Sequence, residues 1–401
     1  MGSLTLKKKT VKEIFAFIGT LLVMGLMIVY LNNAYQINLY STQWMQMGIL
    51  LIGVCLLIFN HKLNKLILVA FLLSLSMLIP AVFYSVEKYG FMGLVSKTFL
   101  WFFVIIIGYE YGKSKKTTYN RYLILGVLLI LVYIYCSNTF LDFSITNKNY
   151  VQTSIYYLIC MMPFIFILSH RKISLFFLGL ISVLTLISFK RSAILVLIMT
   201  LLIVLCINIK KINIKQLLKY FILIIIIFGV VFAVYVKIKN WDISDLLDIF
   251  NVWSNRFKES GSRVSIYSYV LQRQFDSSIL EWMFGHGYNS VMDTVLFGLS
   301  SHCDYIEILY NYGIVAEILF IYFILILIKK AIRLVRVNSI YGNGYISSVV
   351  IFLAASLPSH MLTYSTYFLS ICFFWGYMES VSEIYKGRKR KYYENRNINV
   401  S

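Results

Sequence analysis

The sequence predicts an all-α polytopic membrane protein, and three observations carry that reading. Sixty per cent of the 401 residues are apolar and only 13% are charged, about half the charge of a soluble domain and too little to clothe a water-facing surface. Apolar runs recur along almost the whole chain. The lysines and arginines, which give a net charge of +20, gather in alternate connections between those runs. Disorder, collagen-like structure and a disulfide scaffold are excluded by the same composition. The six cysteines form no CxxC pair, and Cys55, Cys160 and Cys206 lie in apolar runs, where they read as small hydrophobes.

A bilayer is crossed by about 20 mostly apolar helical residues, because an unpaired backbone group would be stranded in hydrocarbon. Twelve stretches meet that need: 14–31, 44–59, 66–84, 91–109, 122–136, 155–168, 173–188, 193–209, 220–236, 314–328, 345–358 and 364–381. The first lacks a small-residue cleavage site and runs on into further spans, so it is read as a span and not as a signal peptide. Orientation follows from the basic residues. With the N-terminus inside, the inward segments hold 26 of the 37 lysines and arginines, and an even span number returns the basic C-terminus inside as well. The expectation is a multi-pass protein of the cytoplasmic membrane with both termini cytoplasmic. The basic excess then faces an anionic lipid leaflet, and no nucleic-acid partner is expected.

The predicted organisation is nine spans in 1–236, one large outward loop at 237–313, three spans in 314–381 and a basic tail at 382–401. The loop reverses the charge balance, with nine Asp/Glu against six Lys/Arg, and holds Trp241, Trp253 and Trp282. It is too aromatic for disorder and long enough to be functional. Short helices are expected near 263–275 and 302–312. A second irregularity is Lys190 and Arg191 in SFKRSA, outward-facing cations flanked by apolar sequence. Charge at membrane depth usually faces a functional cavity; the alternative is a pair of snorkelling residues on lipid phosphate.

Four segments occur in order: SFKRSA, GSRVSIYSYVLQ at 261–272, MFGHGYNSV at 283–291 and SHCDYIEILYNYGIVAEILF at 301–320. Together they resemble the signature of the O-antigen ligase and Wzy-type polysaccharide polymerase superfamily. In that family an SR-small motif opens a span, an Arg precedes an aromatic helix in the outer loop, a Gly-rich turn follows, and a His-led helix ends in Gly before the next span. This chain departs from the pattern at Lys190, where the family has Ser, and at Cys303 and Asp304, where it has Asn after the His. The resemblance implies a GT-C-type membrane glycosyltransferase needing no metal or other cofactor. Its substrates would be undecaprenyl-pyrophosphate-linked repeat units, as donor and acceptor. A chain-length regulator and a flippase would be its further partners, and the bilayer its setting.

The chemistry asks for particular side chains. Displacing pyrophosphate from an anomeric carbon develops negative charge, which a bidentate guanidinium is suited to hold. Arg191 and Arg263 stand at the family positions and are assigned to pyrophosphate, with Lys190 as auxiliary; a loop ion pair with Glu259 is the plain alternative for Arg263. The acceptor hydroxyl needs a proton acceptor, and the resemblance gives that role to His302. A helix over 302–312 would put Tyr305, Ile306 and Leu309 on the face of His302 and turn Asp304 away. Asp304 and Glu307 could bind sugar hydroxyls or Arg263, and Asp304 is the reserve base. Tyr267, on the face of Arg263, could stack on a sugar, whereas Tyr269 lies off that face; the default reading is that both anchor the loop at the membrane interface. His286, between two glycines, reads as loop architecture, and His360, in the outward turn PSHMLTYST, as a cavity-lining residue.

A polymerase of repeat units is the leading expectation. A ligase of the same superfamily would use the same residues. A lipid-linked oligosaccharide flippase is the rival from another class, but two related halves and charges spread through the spans, its usual marks, are not evident. The sequence has no P-loop, GxGxxG or HExxH motif.

Overall fold

The computed structural model describes residues 2–33, 40–59, 64–113, 117–142, 153–168, 170–188, 190–208, 261–294, 300–337, 339–363 and 366–398. Among them no strand occurs. In chain order the helices are α1 (Gly2–Asn33), α2 (Tyr40–Phe59), α3 (Lys65–Tyr89), α4 (Phe91–Lys113), α5 (Thr117–Asp142), α6 (Ile155–Ile159), α7 (Met162–Phe166), α8 (Arg171–Ile187) and α9 (Arg191–Asn208). There follow α10 (Gly261–Phe275), α11 (Ile279–Phe284), α12 (Ser290–Thr294), α13 (Asp304–Val337), α14 (Ser339–Ser356) and α15 (Leu369–Ile398). The protein is an all-α membrane protein. Five described stretches, Thr10–Asn32, Thr42–Phe59, Lys65–Tyr89, Phe91–Lys113 and Arg191–Asn208, are long and apolar enough to cross a bilayer. The predicted span 220–236 and the part of the loop holding Trp241 and Trp253 lie outside the described residues.

The bundle is built on close backbone contact. Gly108 and Gly112 on α4 face Gly376 and Ser380 on α15, a small-xxx-small pair on each helix. A Cβ on Gly376 would overlap the Ile105 carbonyl, and one on Gly108 the Phe373 carbonyl. Without a hydrophobic force between helices in lipid, such approach is how dispersion holds them. Beside this seam Trp375 packs edge-on against Phe323, Phe352 and Phe368 at 5.3–5.5 Å. Its indole N–H is satisfied by Ser348 Oγ at 2.8 Å.

Two expectations are corrected. The stretch 155–168, predicted as one span, is two five-residue helices joined by tight turns at Cys160 and Met161. Twelve residues from 155 to 166 span only about 18 Å, short of a hydrocarbon core of about 30 Å. Broken backbone at such depth is tolerated where protein covers it, and both helices are buried. The Cys160 carbonyl left over by the break accepts the Ser370 hydroxyl at 3.1 Å. The second correction concerns 302–312, where the helix begins at Asp304. It then kinks at Gly313 (φ 77°), where a Cβ would overlap the Met283 carbonyl.

The bundle has two unlike ends. At one, ion pairs and amides link α1, α3 and α14, near their starts, to α4, α9, α13 and α15. Lys12 and Lys113 meet Glu110 at 3.0 and 3.2 Å. Lys330 meets Glu379, which also accepts Asn64 Nδ2 at 3.2 Å, and Asn208 donates to Asn343 at 2.8 Å. At the other end the loop segment 277–294 sits on the C-terminus of α3. Tyr288 packs on Tyr89 at 5.0 Å, Asn289 donates to the Tyr89 hydroxyl at 3.1 Å, and Lys88 pairs with Asp293 at 2.6 Å. Here too α13 begins, α14 ends and α9 begins.

Candidate functional site

The segment entering α13 is fixed before the helix starts. His302 adopts φ 56°, a left-handed conformation uncommon for a non-glycine residue, and its side chain is exposed. Being outside the helix, it does not share a helical face with Tyr305, Ile306 and Leu309 as the sequence predicts. Tyr305 is half-buried and packs edge-on against Phe320 at 5.3 Å.

Asp304 and Glu307 are corrected as well. Neither is an open sugar ligand, because internal donors take their oxygens. Asp304 is fully buried and accepts the backbone N–H groups of Met361, Leu362 and Thr363 at 2.7, 3.0 and 3.2 Å, plus the Thr363 hydroxyl at 2.9 Å. One carboxylate thereby ties the start of α13 to the turn after α14. Burial raises its pKa, against the pull of those donors. Glu307 accepts Ser301 N at 2.8 Å, Ser301 Oγ at 3.1 Å and Asn311 Nδ2 at 3.1 Å. Burial pushes it up to about 7, again opposed by its donors.

The turn that Asp304 holds carries His360, which is buried. Its Nδ1 lies 3.1 Å from Thr363 Oγ1 and its Nε2 lies 2.8 Å from Ser300 Oγ. The rings of His302 and His360 are 5.0 Å apart. Tyr367 donates to the His360 carbonyl at 2.6 Å and stacks on Tyr156 at 5.4 Å. The Tyr156 hydroxyl donates to Ser192 Oγ at 3.0 Å. Ser192 follows Arg191, so an unbroken path of contacts runs from the imidazole pair to the start of α9.

Lys190 and Arg191 are both half-buried there, and Arg191 is the first residue of α9. A helix N-terminus carries partial positive charge. Two cations added to it make a point that favours an anion. Arg263 lies in the first turn of α10, and its side chain is outside the described residues. Tyr267 is half-buried on α10, whereas Tyr269 holds Arg273, with its hydroxyl 3.2 Å from Nη2.

No family model matches this chain, and no curated protein matches it. The site therefore stands on its own residues.

His286 belongs to a separate cluster. It stacks on Tyr310 at 4.3 Å, with Nε2 3.0 Å from Ser277 Oγ and Nδ1 3.7 Å from Glu281 Oε1. Burial lowers its pKa more than Glu281 raises it, which keeps the ring neutral at neutral pH. Its flanking Gly285 has φ 76° and lies against the Asn311 backbone, and Gly287 donates to the Asn311 carbonyl at 2.8 Å. The turn is thus clamped onto the α13 kink, as its glycines suggest. Among the described residues no group of three or more His, Cys, Asp and Glu side chains is arranged to hold a metal ion.

Sequence reasoning passes over several contributors. Ser300, Thr363, Tyr156 and Tyr367 connect the site, and nothing local to any of them announces it. Lys97 does carry a signal: a charge inside an apolar run. It is half-buried on the second turn of α4, and among the described residues no carboxylate pairs with it. Its neighbour Ser96 donates to Gln46, and Gln46 to Tyr30, which sets it in the same end of the bundle as the imidazoles. Glu317, one turn past the kink, is likewise buried, and its Oε2 has no partner among the described residues.

Proposed function

We propose that this chain is a metal-independent GT-C-type membrane glycosyltransferase, a polysaccharide polymerase of capsule or O-antigen biosynthesis. It would transfer a growing undecaprenyl-pyrophosphate-linked glycan to the non-reducing end of an incoming lipid-linked repeat unit, at the outer face of a cytoplasmic membrane that it crosses many times. The observation that carries this reading is the link from Arg191 at the start of α9, through Ser192, Tyr156 and Tyr367, to His360 and His302. It brings a cationic helix N-terminus and an imidazole pair to one end of the bundle, and the motif resemblance supplies the substrate class. The ion-paired end of the bundle fits a cytoplasmic face, since it gathers α1, α3 and α14 near their starts.

In this reaction the acceptor oxygen attacks the anomeric carbon while the bond from that carbon to the phosphate oxygen breaks. The pyrophosphate departs with the electron pair, and the acceptor hydroxyl loses its proton to the protein. Arg191, with Lys190 and the α9 N-terminus, would stabilise the departing charge, together with Arg263.

The test is elongation. Purified protein in vesicles, given synthetic lipid-pyrophosphate repeat units, should lengthen them without ATP. Transbilayer movement of the units without lengthening would identify a flippase instead. Transfer of finished chains only, onto a lipid or protein acceptor, would identify a ligase.

A further inference from the structure

The turn after α14 holds a hydrogen-bond series whose donor order follows from an ionised Asp304 and a neutral His360. Asp304 is at the far end, an acceptor when ionised, and Thr363 Oγ1 reaches it at 2.9 Å. The single hydroxyl proton of Thr363 is therefore given to Asp304, and Thr363 Oγ1 can only accept from His360 Nδ1, 3.1 Å away. That makes Nδ1 the protonated nitrogen and leaves a lone pair on Nε2. In the neutral ring Ser300 Oγ, 2.8 Å from Nε2, donates to it. The result is Ser300 to His360 to Thr363 to Asp304, a hydroxyl, an imidazole fixed in one tautomer and a buried carboxylate behind it. An imidazole oriented in this way by a third group is the arrangement that makes a hydroxyl a proton carrier.

We propose that proton acceptance at this site runs through Ser300 to Nε2 of His360, with Thr363 and Asp304 as positioning residues that set the tautomer and stabilise the imidazolium. The proposal rests on the glycosyl-transfer reading above and assigns the proton of that reaction. As the acceptor oxygen bonds to the anomeric carbon and the pyrophosphate leaves with its electron pair, the acceptor hydroxyl's proton passes to Ser300 Oγ. The Ser300 proton passes in the same motion to His360 Nε2. Thr363 keeps the Nδ1 proton engaged, and Asp304 offsets the positive charge through it; release of the proton to water restores the series. His302, exposed beside His360 at 5.0 Å between ring centres, is left to contact the substrate. Both ends of the carrier are nearly closed to bulk water, Ser300 with 9% and His360 with 5% of its surface accessible, so the proton enters from the bound acceptor and leaves to water only after the product departs.

The experiment has two arms on the full-length protein. In the first, protein carrying 15N-labelled histidine is studied by NMR, with the His360 signal among the five histidines assigned by its loss in His360→Gln. The expected signature is a neutral ring protonated at Nδ1, lost in Thr363→Val and kept in Thr363→Ser. In the second, elongation kinetics are measured with lipid-pyrophosphate repeat units. His360→Gln and Ser300→Ala should lower kcat on the order of 10²-fold or more with KM little changed, Thr363→Val should lower kcat by about tenfold or more, and Thr363→Ser should restore it. A ring protonated at Nε2, or full kcat in Thr363→Val, overturns the proposal. A wild-type protein that elongates nothing overturns the glycosyl-transfer reading and the reaction role with it, while the NMR arm still decides the hydrogen-bond series. Should Thr363→Val fail to fold, Ser300→Ala, which truncates an uncharged side chain at the end of the series, takes its place: full kcat there overturns the proposal equally.

Discussion

The two ends of this bundle are fastened by different chemistry. At one end carboxylates meet ammonium groups: Glu110 holds Lys12 and Lys113, and Glu379 holds Lys330. At the other, the buried carboxylates Asp304 and Glu307 are held by backbone N–H, hydroxyl and amide donors, and the ion pair there, Lys88 with Asp293, is solvent-exposed. Lys97 at that end has no carboxylate partner among the described residues. Charge cancelled within the protein is structural. Charge left for neutral donors to hold, as on Asp304 and Glu307, is charge that a proton can still use. The comparison teaches where to look for function: at the end where, among the described residues, the buried carboxylates have no cationic partner.

The sharpest way to break the comparison is Asp304→Ala. Three backbone N–H groups and a hydroxyl would lose their acceptor in a buried place, each at about 1–3 kcal/mol, so a loss of at least about 3 kcal/mol is expected. Thermal denaturation in detergent would show it, and a variant as stable as wild type would mean that water replaces the carboxylate without cost. Next in size is Arg191→Lys, expected to fold normally and to lose elongation by on the order of 10²-fold, because one ammonium cannot reproduce a bidentate grip on phosphate. Full elongation in that variant would remove Arg191 from the leaving-group role.

Much of this fold is legible in the sequence, for physical reasons that also mark where legibility stops. Apolar runs of 18 or more residues announce helices because lipid allows little else, and the Gly-x-x-x-Gly at 108–112 announces the α4 seam. The break at Cys160 and Met161 is not announced by an apolar count. Pro163, opening α7, is the one local sign, since Pro removes a backbone donor. At the site, the order of the basic and imidazole residues is visible, but the conformation of His302 is not, and it alone shifts the helix register. The partners of Asp304 lie 57–59 residues downstream, so a carboxylate that reads as a surface acid is a buried clasp.

A third prediction sharpens the contrast through pH. Glu307 is raised in the folded protein to about 7, against an ordinary value of 4.5 when unfolded. The folded state thus binds the proton more tightly. The stability linked to this group is fully present below about pH 4.5 and is lost as pH rises through about 7, amounting to about 3 kcal/mol at most. Glu307→Gln, which cannot titrate, should flatten the stability profile between those values. Asp304, raised in the same direction, leaves a residual slope of the same sign. A profile that rises with pH in wild type would contradict the burial of both carboxylates.

The smallest effect is expected where charges are already cancelled. Lys12→Met removes one of the two cations on Glu110 and leaves Lys113 at 3.2 Å, with Lys12 itself 23% exposed at its side chain. Partly solvated pairs of this kind are worth about 1 kcal/mol or less, and added salt should shrink even that. Elongation by the variant should match wild type, since nothing in the reaction needs the paired end. If Lys12→Met instead lowers kcat as Arg191→Lys does, the two ends are coupled through the α4–α15 seam. The separation of a fastened end from a working end would then have to be replaced by one cooperative unit.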